Sequence, residues 1–117
     1  MRHLSEGKKF GRKRGQRRAL LRGLAANLIM RRSLTTTEAR AKETRRFVER
    51  YISYGKRQNL AGLRLLLAAL PKDAALVVYH DLAPKYQDRK GGYTRIMKRA
   101  APRRHDASRM ATVTFVE

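Results

Sequence analysis

Cysteine is absent from this 117-residue chain, and so is tryptophan. The lack of cysteine excludes disulfide bonds and the cysteine-rich class of zinc sites. No apolar stretch approaches the roughly 20 residues that a helix needs to span a bilayer. The N-terminal segment also lacks the continuous apolar region of a secretory signal. The simplest expectation is therefore a cytoplasmic protein without a membrane segment.

Acidic residues are scarce. The chain has 9 Asp and Glu against 29 Lys and Arg, which gives a formal net charge of +20. Such a surplus opposes compaction and favours a polyanionic partner. The surplus is not confined to one end, since residues 33–117 hold 18 bases and 8 acids. Nucleic acid is the partner that this distribution favours. A membrane surface is the weaker candidate, because the N-terminal region lacks large apolar side chains to insert.

The first 32 residues carry the densest charge, with eleven bases and one acid. The first half of this stretch is too polar to build a core, and it has glycines at positions 7, 11 and 15. We expect residues 1–13 to form a basic N-terminal extension that folds on binding a polyanion. The recurrent glycines are consistent either with close approach to an RNA backbone or with simple flexibility.

An amphipathic helix is predicted from about Arg14 to Met30, because the leucines after Ala19 fall at helical spacing. Arg14, Arg18 and Arg22 lie four residues apart and so share one side of this helix. Like charges at that spacing repel each other. The arrangement is therefore expected to be neutralised by phosphates.

Residues 14–117 are predicted to form a single RNA-binding domain of the α+β class. It should have two layers, with four helices packed on a small, mostly antiparallel three-stranded sheet. The further helices are expected from one of the threonines at 35–37 to Tyr54, from Leu60 to Leu70 with Asn59 as its cap, and from Asp73 to Leu82. A break is predicted at Ala83-Pro84. The strands are expected at 33–36, at Tyr93–Lys98 and at Met110–Val116, with the last two as an antiparallel hairpin.

Two predicted helices have clear apolar faces. In the second, the core stripe is expected at Phe47, Val48, Tyr51 and Ile52, and in the third a broad face contains leucines 60, 63, 66, 67 and 70.

Gly91-Gly92 precedes Tyr93 and Arg95, and two interpretations of this turn stay open. In the first, the turn contacts an RNA phosphate, Tyr93 stacks on a base and Arg95 pairs with a phosphate. In the second, the glycines provide a loop that needs positive φ, and the two interpretations can hold together.

Enzymatic chemistry has little support in the sequence. His3, His80 and His105 show no metal-ligand spacing, and the acidic residues show no paired pattern. A small nuclease is therefore the least favoured class. A DNA-binding protein is the stronger alternative, with the second and third helices as a helix-turn-helix. Against it, the third helix has a thin polar face, and its leucines are expected to be buried.

Three segments occur together in order and spacing: Met1-Arg2-His3, Thr36-Thr37 followed by Ala41-Lys42-Glu43, and the segment 91–96, Gly-Gly-Tyr-Thr-Arg-Ile. Together they resemble the bacterial large-subunit ribosomal protein L17 family, over essentially all of residues 1–117. The chain departs from the family pattern at Thr44-Arg45, where a leucine is expected, and at His105-Asp106, where Gly-Asp is usual.

The resemblance implies a structural constituent of the large ribosomal subunit in the cytoplasm. It implies binding to large-subunit ribosomal RNA near the polypeptide exit tunnel, beside neighbouring ribosomal proteins, without catalysis, cofactor, metal or small-molecule substrate. It implies RNA contacts at Arg2, His3, Arg12, Arg17, Arg22, Thr36, Thr37, Lys42, Tyr93 and Arg95. The charge pattern adds Lys8, Lys9, Lys13, Arg14 and Arg18 as candidate phosphate partners.

Overall fold

A computed structural model describes residues 8–117, so the contacts predicted for Arg2 and His3 lie outside the described residues. The predicted α+β class is confirmed: four helical segments pack on one three-stranded antiparallel sheet. The elements are α1 (Arg14–Arg31), β1 (Ser33–Thr37), α2 (Glu38–Gly55), α3 (Leu60–Ala69), α4 (Lys72–Val77) continuing through a π-helical turn (Val78–Leu82) into α5 (Ala83–Lys85), β2 (Thr94–Lys98) and β3 (Met110–Phe115).

Helix α1 packs on the core only through its second half. It begins where the Lys13 backbone N–H donates to the Gln16 side chain at 3.2 Å. It ends at Arg32, whose left-handed conformation, with φ of 66°, stops the helix. The buried residues are Ala25, Leu28 and Ile29, whereas leucines 20, 21 and 24 of the same apolar stripe are only half-buried. The first turns of α1 therefore contribute no fully buried side chain to the core.

Strand β3 is the central strand of the sheet and pairs antiparallel with both β1 and β2. One face of the sheet is buried through Ala111 and Val113, which pack against the helices. The other face is uncovered and rich in hydroxyl groups, with the Thr35 and Thr112 oxygens 3.0 Å apart. The alternation of apolar and polar residues along β3 confirms the predicted faces.

Helix α2 lies at the centre of the fold, where it contacts α1, α3 and all three strands. Val48 and Ile52 are fully buried, as predicted, but Phe47 and Tyr51 are only half-buried. Thr44 is also fully buried, and its hydroxyl donates to the Arg40 carbonyl at 2.7 Å. A polar residue is tolerated at that position because its hydrogen bond is made within the helix.

Helix α3 lies at the edge of the fold, where it packs mainly against α2 and the fourth helical segment. Asn59 caps it, as predicted, by accepting the Gly62 N–H at 2.8 Å. The predicted broad apolar face is wrong in extent. Leu66 and Leu70 are buried, but Leu60 and Leu67 are 59% and 40% exposed, because nothing in the described chain covers that side of the helix.

The predicted helix break at Ala83-Pro84 is also wrong. The chain passes through the proline by widening one turn, so that the Ala83 N–H donates to the Val78 carbonyl five residues back. Pro84 has no N–H to continue this pattern toward the Tyr79 carbonyl. The side chain of Gln58 supplies the missing donor instead, with its Nε2 2.9 Å from that carbonyl.

Candidate nucleic-acid interface

Exposed basic side chains line the approach to α1 and its first half. Arg12 is partly diverted from this set, because its Nη1 donates to the Phe10 carbonyl at 2.8 Å and closes a turn. Arg17 is half-buried. The exposed members are Lys8, Lys9, Lys13, Arg14, Arg18 and Arg22, and none of them forms an ion pair with an acid of residues 8–117.

A second group of bases surrounds the start of α2. We call it the α2 patch and define it as Lys8, Lys42, Lys98 and Arg109, arranged around Glu38. Glu38 is 17% exposed and pairs with Lys42 at 3.3 Å and with Lys98 at 3.6 Å. The hydrogen bond from Lys42, joined by the charge of Lys98, lowers the pKa of the Glu38 carboxyl. Glu38 thus holds Lys42 and Lys98 in place by ion pairs, and the patch stays net positive because it has four bases around one acid.

The threonines before α2 have structural contacts of their own. Thr36 lies on the core side of β1 and is 8% exposed, so its side chain serves the fold, and its predicted RNA contact stays a prediction. Thr37 is the helix cap, with its hydroxyl accepting the Arg40 N–H at 3.4 Å. Thr37 also lines a concave surface of about 360 Å³ together with Lys8 and Lys42. Its predicted RNA contact stays a prediction.

Sequence reasoning missed several bases beside the α2 patch. Arg45 and Arg46 share a concave surface of about 530 Å³ with Lys42 and Lys98. Their spacing from Lys42, three and four residues along a helix, places all three on one side of α2. This spacing could have predicted that Arg45 and Arg46 lie beside Lys42. The proximity of Lys98 could not have been predicted in this way, because β2 is distant in sequence.

Tyr93 is a core residue, which corrects the stacking role predicted for it. It is 3% exposed, its ring lies 5.3 Å from that of Tyr86, and its hydroxyl accepts a hydrogen bond from Lys56 Nζ at 2.9 Å. Gly91 and Gly92 have φ of 147° and 61°, so the interpretation of a loop that needs positive φ is confirmed. Arg95 is exposed on the uncovered face of the sheet, opposite Thr114.

The basic loop between β2 and β3 is held by its own acid. The Arg103 guanidinium donates two hydrogen bonds to the Asp106 carboxylate, one from Nε at 3.0 Å and a second from Nη2. Asp106 also accepts the Ser108 N–H at 3.1 Å. These hydrogen bonds lower the pKa of the Asp106 carboxyl far below its usual range. Arg104 and His105 stay exposed at the tip.

A groove lies between α1, α2 and α3 and encloses about 490 Å³. Aromatic rings of α2 form its floor, and bases of α1 form one wall. Its lining includes Arg18, Arg22, Phe47, Tyr51, Tyr54 and Leu65.

Of the described histidines, neither His80 nor His105 lines these concave surfaces. His80 is exposed, with its ring 5.1 Å from that of Tyr79, while His3 lies outside the described residues. Between residues 8 and 117, no three His, Asp or Glu side chains are placed to hold a metal ion. Nor is any helix of that part of the chain long and apolar enough to cross a bilayer.

Comparison with known proteins identifies the family. The profile described as Ribosomal protein L17 matches residues 20–116. The chain belongs to the ribosomal protein L17 family. This is a family of structural, non-enzymatic ribosomal proteins.

Three relatives illustrate the similarity, each named large ribosomal subunit protein bL17. The relative from Thermus thermophilus is 44% identical over 119 residues, covering 100% of both chains. That from Lactobacillus helveticus is 42% identical over 124 residues, covering 93% of this chain and 98% of its own. That from Bdellovibrio bacteriovorus is 47% identical over 116 residues, covering 98% of this chain but only 64% of its own length. The three relatives therefore differ in total length, and this chain aligns to each of them over at least 93% of its own length.

Proposed function

We propose that the protein is a structural component of the large ribosomal subunit and binds large-subunit ribosomal RNA. The observation that carries this proposal is the pair of exposed basic surfaces, one along the start of α1 and one at the α2 patch. Ribosomal RNA supplies crowded phosphates to neutralise them. Most such contacts position a protein and read little sequence, so selectivity would come from RNA shape. Its place of action would be the ribosome in the cytoplasm.

The location that we propose within the subunit is near the polypeptide exit tunnel, beside neighbouring ribosomal proteins. Support for it comes from membership of the L17 family. Crosslinking in cells, followed by sequencing of the attached RNA, tests it directly. Crosslinks should fall on large-subunit RNA segments that border the tunnel. Crosslinks confined to other regions would reject the location while leaving RNA binding intact.

The salt dependence of binding tests the role of the α2 patch. Each phosphate neutralised contributes roughly 0.7–0.9 to the slope of log affinity against log salt. Lys42→Gln with Lys98→Gln should therefore flatten the slope for ribosomal RNA by about 1.4–1.8 if both lysines bind phosphate. The matched control is Lys72→Gln with Lys85→Gln, two exposed lysines on the fourth helical segment. Equal slopes for the two double variants would contradict the assignment, provided that circular dichroism shows both to be folded.

A DNA-binding function has weaker support. In that alternative α3 would be the recognition helix, but the exposed side of α3 carries Leu60, Leu65 and Leu67. Base edges in the major groove are read mainly by hydrogen-bonding side chains. Competition between folded ribosomal RNA and duplex DNA distinguishes the two functions, and we expect the RNA to win.

A further inference from the structure

We propose that the groove between α1, α2 and α3 binds one unstacked RNA nucleobase, with phosphates of the same strand held by Arg18 and Arg22. The proposal rests on the proposed RNA-binding function and adds to it a base-binding site on a surface separate from the α2 patch.

Three aromatic side chains of α2 line the groove, with the first pair of rings tilted and the second pair edge-to-face. Phe47, Tyr51 and Tyr54 occur at helical spacing on α2, so they project to the same side. The rings of Phe47 and Tyr51 lie 4.8 Å apart, and those of Tyr51 and Tyr54 lie 5.4 Å apart. All three are half-buried, so each keeps part of its surface open. Phe47 and Tyr51 also pack against the buried core, and their remaining surface borders the groove.

One wall of the groove is cationic and the other is neutral. Arg18 and Arg22 come from consecutive turns of α1, and neither forms an ion pair with an acid of the described chain. The opposite wall is formed by Leu65, Ala68 and Ala69 of α3. A strand of RNA would place its phosphates along the first wall and turn a base away from the second.

Arg57 is not among the residues that line the groove, but it places a further cation over the ring of Tyr54, which does line it. The Arg57 guanidinium lies 5.4 Å from the centre of the Tyr54 ring, within the range of a cation–π contact. An aromatic face beside cations is the combination by which proteins bind single-stranded nucleic acid, since every base offers a π-face to stack.

The size and chemistry of the groove favour a base over an apolar peptide. Its volume of about 490 Å³ lies within the usual range for sites of small planar ligands. An aliphatic helix seated there would bury Arg18 and Arg22 without an anionic partner, which is costly. A nucleotide offers a stacking surface and an anion together. We therefore assign the site to RNA.

The test compares Tyr51→Leu and Tyr51→Phe in the full-length protein, with a fragment of large-subunit ribosomal RNA as the probe. Loss of a stacked ring should weaken binding by about 5- to 160-fold, because stacking on an aromatic side chain is worth roughly 1–3 kcal/mol per base. The salt slope should not change, since no phosphate contact is lost. Tyr51→Phe keeps the ring and should retain the affinity. Tyr79→Leu, at a half-buried tyrosine outside the groove, is the matched control and should bind like the unmodified protein.

The phosphate contacts of the cationic wall are tested separately with Arg18→Gln. The control is Arg31→Gln, at an exposed arginine at the other end of the same helix. Arg18→Gln should flatten the salt slope by roughly 0.7–0.9, and Arg31→Gln should leave it unchanged. Ultraviolet crosslinking of the complex should join a nucleotide to the peptide that contains Phe47, Tyr51 or Tyr54.

Three outcomes would overturn the site. In the first, Tyr51→Leu binds RNA as well as the unmodified protein. In the second, Tyr51→Phe loses as much affinity as Tyr51→Leu although both are folded. In the third, the groove in assembled subunits crosslinks to a ribosomal protein instead of RNA. A failure of the unmodified protein to bind ribosomal RNA would instead reject the proposed function itself, so the two failures are distinguishable.

Discussion

At the scale of single residues, the charged side chains of α2 divide between two roles. Lys42 and Arg45 line a concave surface at the outside of the fold, where Arg45 Nε also lies 3.7 Å from a Glu49 carboxylate oxygen. Glu49 instead holds the start of β2, because its Oε1 accepts both the N–H of Thr94 at 3.2 Å and the Thr94 hydroxyl at 3.1 Å. Lys56 acts similarly further along, through the Tyr93 hydroxyl. A charged residue on this basic protein is therefore not automatically available to RNA.

Removal of the Glu49 carboxylate should destabilise the domain. Glu49→Ala leaves the N–H of buried Thr94 without its acceptor, and an unsatisfied buried donor costs about 1–3 kcal/mol. The control is Glu43→Ala, which removes an acid of the same helix that forms an ion pair with Arg46 at 3.7 Å. Its cost should be about 0–1 kcal/mol. Urea denaturation measures both, and equal losses would contradict the role assigned to Glu49.

The role of Glu49 and the burial of Tyr93 were not predictable from local pattern. Glu49 and Thr94 are separated by 45 residues, and the contact exists only once α2 packs on the sheet. Tyr93 follows two glycines and lies near Arg95, which is a local pattern typical of an RNA contact. Its burial depends on Tyr86 and Lys56, which tertiary folding brings to it.

At the scale of elements, helix and strand positions followed from periodicity, whereas exposure did not. The bounds of α1 and the cap of α3 at Asn59 are confirmed because they depend on neighbours in sequence. The exposed side of α3 was not predicted, because apolar spacing alone does not reveal how many partners a helix has. The helix through Pro84 was also missed, since the compensating donor is the distant Gln58.

Gly62 marks a close approach between α3 and the end of α2. A Cβ at Gly62 would lie 2.6 Å from the Tyr54 carbonyl oxygen, whereas a Cβ at Gly23 in α1 would meet nothing within 4 Å. Gly62→Ala should therefore destabilise the domain by about 1–3 kcal/mol through overpacking. Gly23→Ala should stabilise it by about 0.5–1 kcal/mol, because alanine favours a helix over glycine. Thermal denaturation compares them, and a stabilising Gly62→Ala would refute the close approach.

At the scale of the whole molecule, the positive charge and the core occupy different parts of the fold. The buried cluster runs from the second half of α1 through α2 to β3. The bases before α1 and along its first turns lie outside that cluster, and residues 8–13 contribute no buried side chain. A net charge of +20 on a chain of this size disfavours the compact state by self-repulsion. An RNA partner should therefore stabilise the domain as well as bind it.

Deletion of Met1–Lys13 tests whether the basic extension is a binding element. The domain should stay folded, because α1 begins at Arg14 and its buried residues start at Ala25. The deletion removes five bases, namely Arg2, Lys8, Lys9, Arg12 and Lys13. If all five contact phosphate, the salt slope for ribosomal RNA should flatten by about 3.5–4.5.

We expect the salt slope to flatten by less than it would if all five bases contacted phosphate. The reason is that the Arg12 guanidinium already donates a hydrogen bond to the Phe10 carbonyl in the free chain. Replacement of the same five bases with glutamine, in a chain of unchanged length, is the control and should reproduce the loss of affinity. If the shortened domain binds RNA with unchanged affinity and unchanged slope, the extension carries charge without contacting phosphate. RNA binding would then depend on α1, the groove and the part of the α2 patch that the deletion leaves, namely Lys42, Lys98 and Arg109.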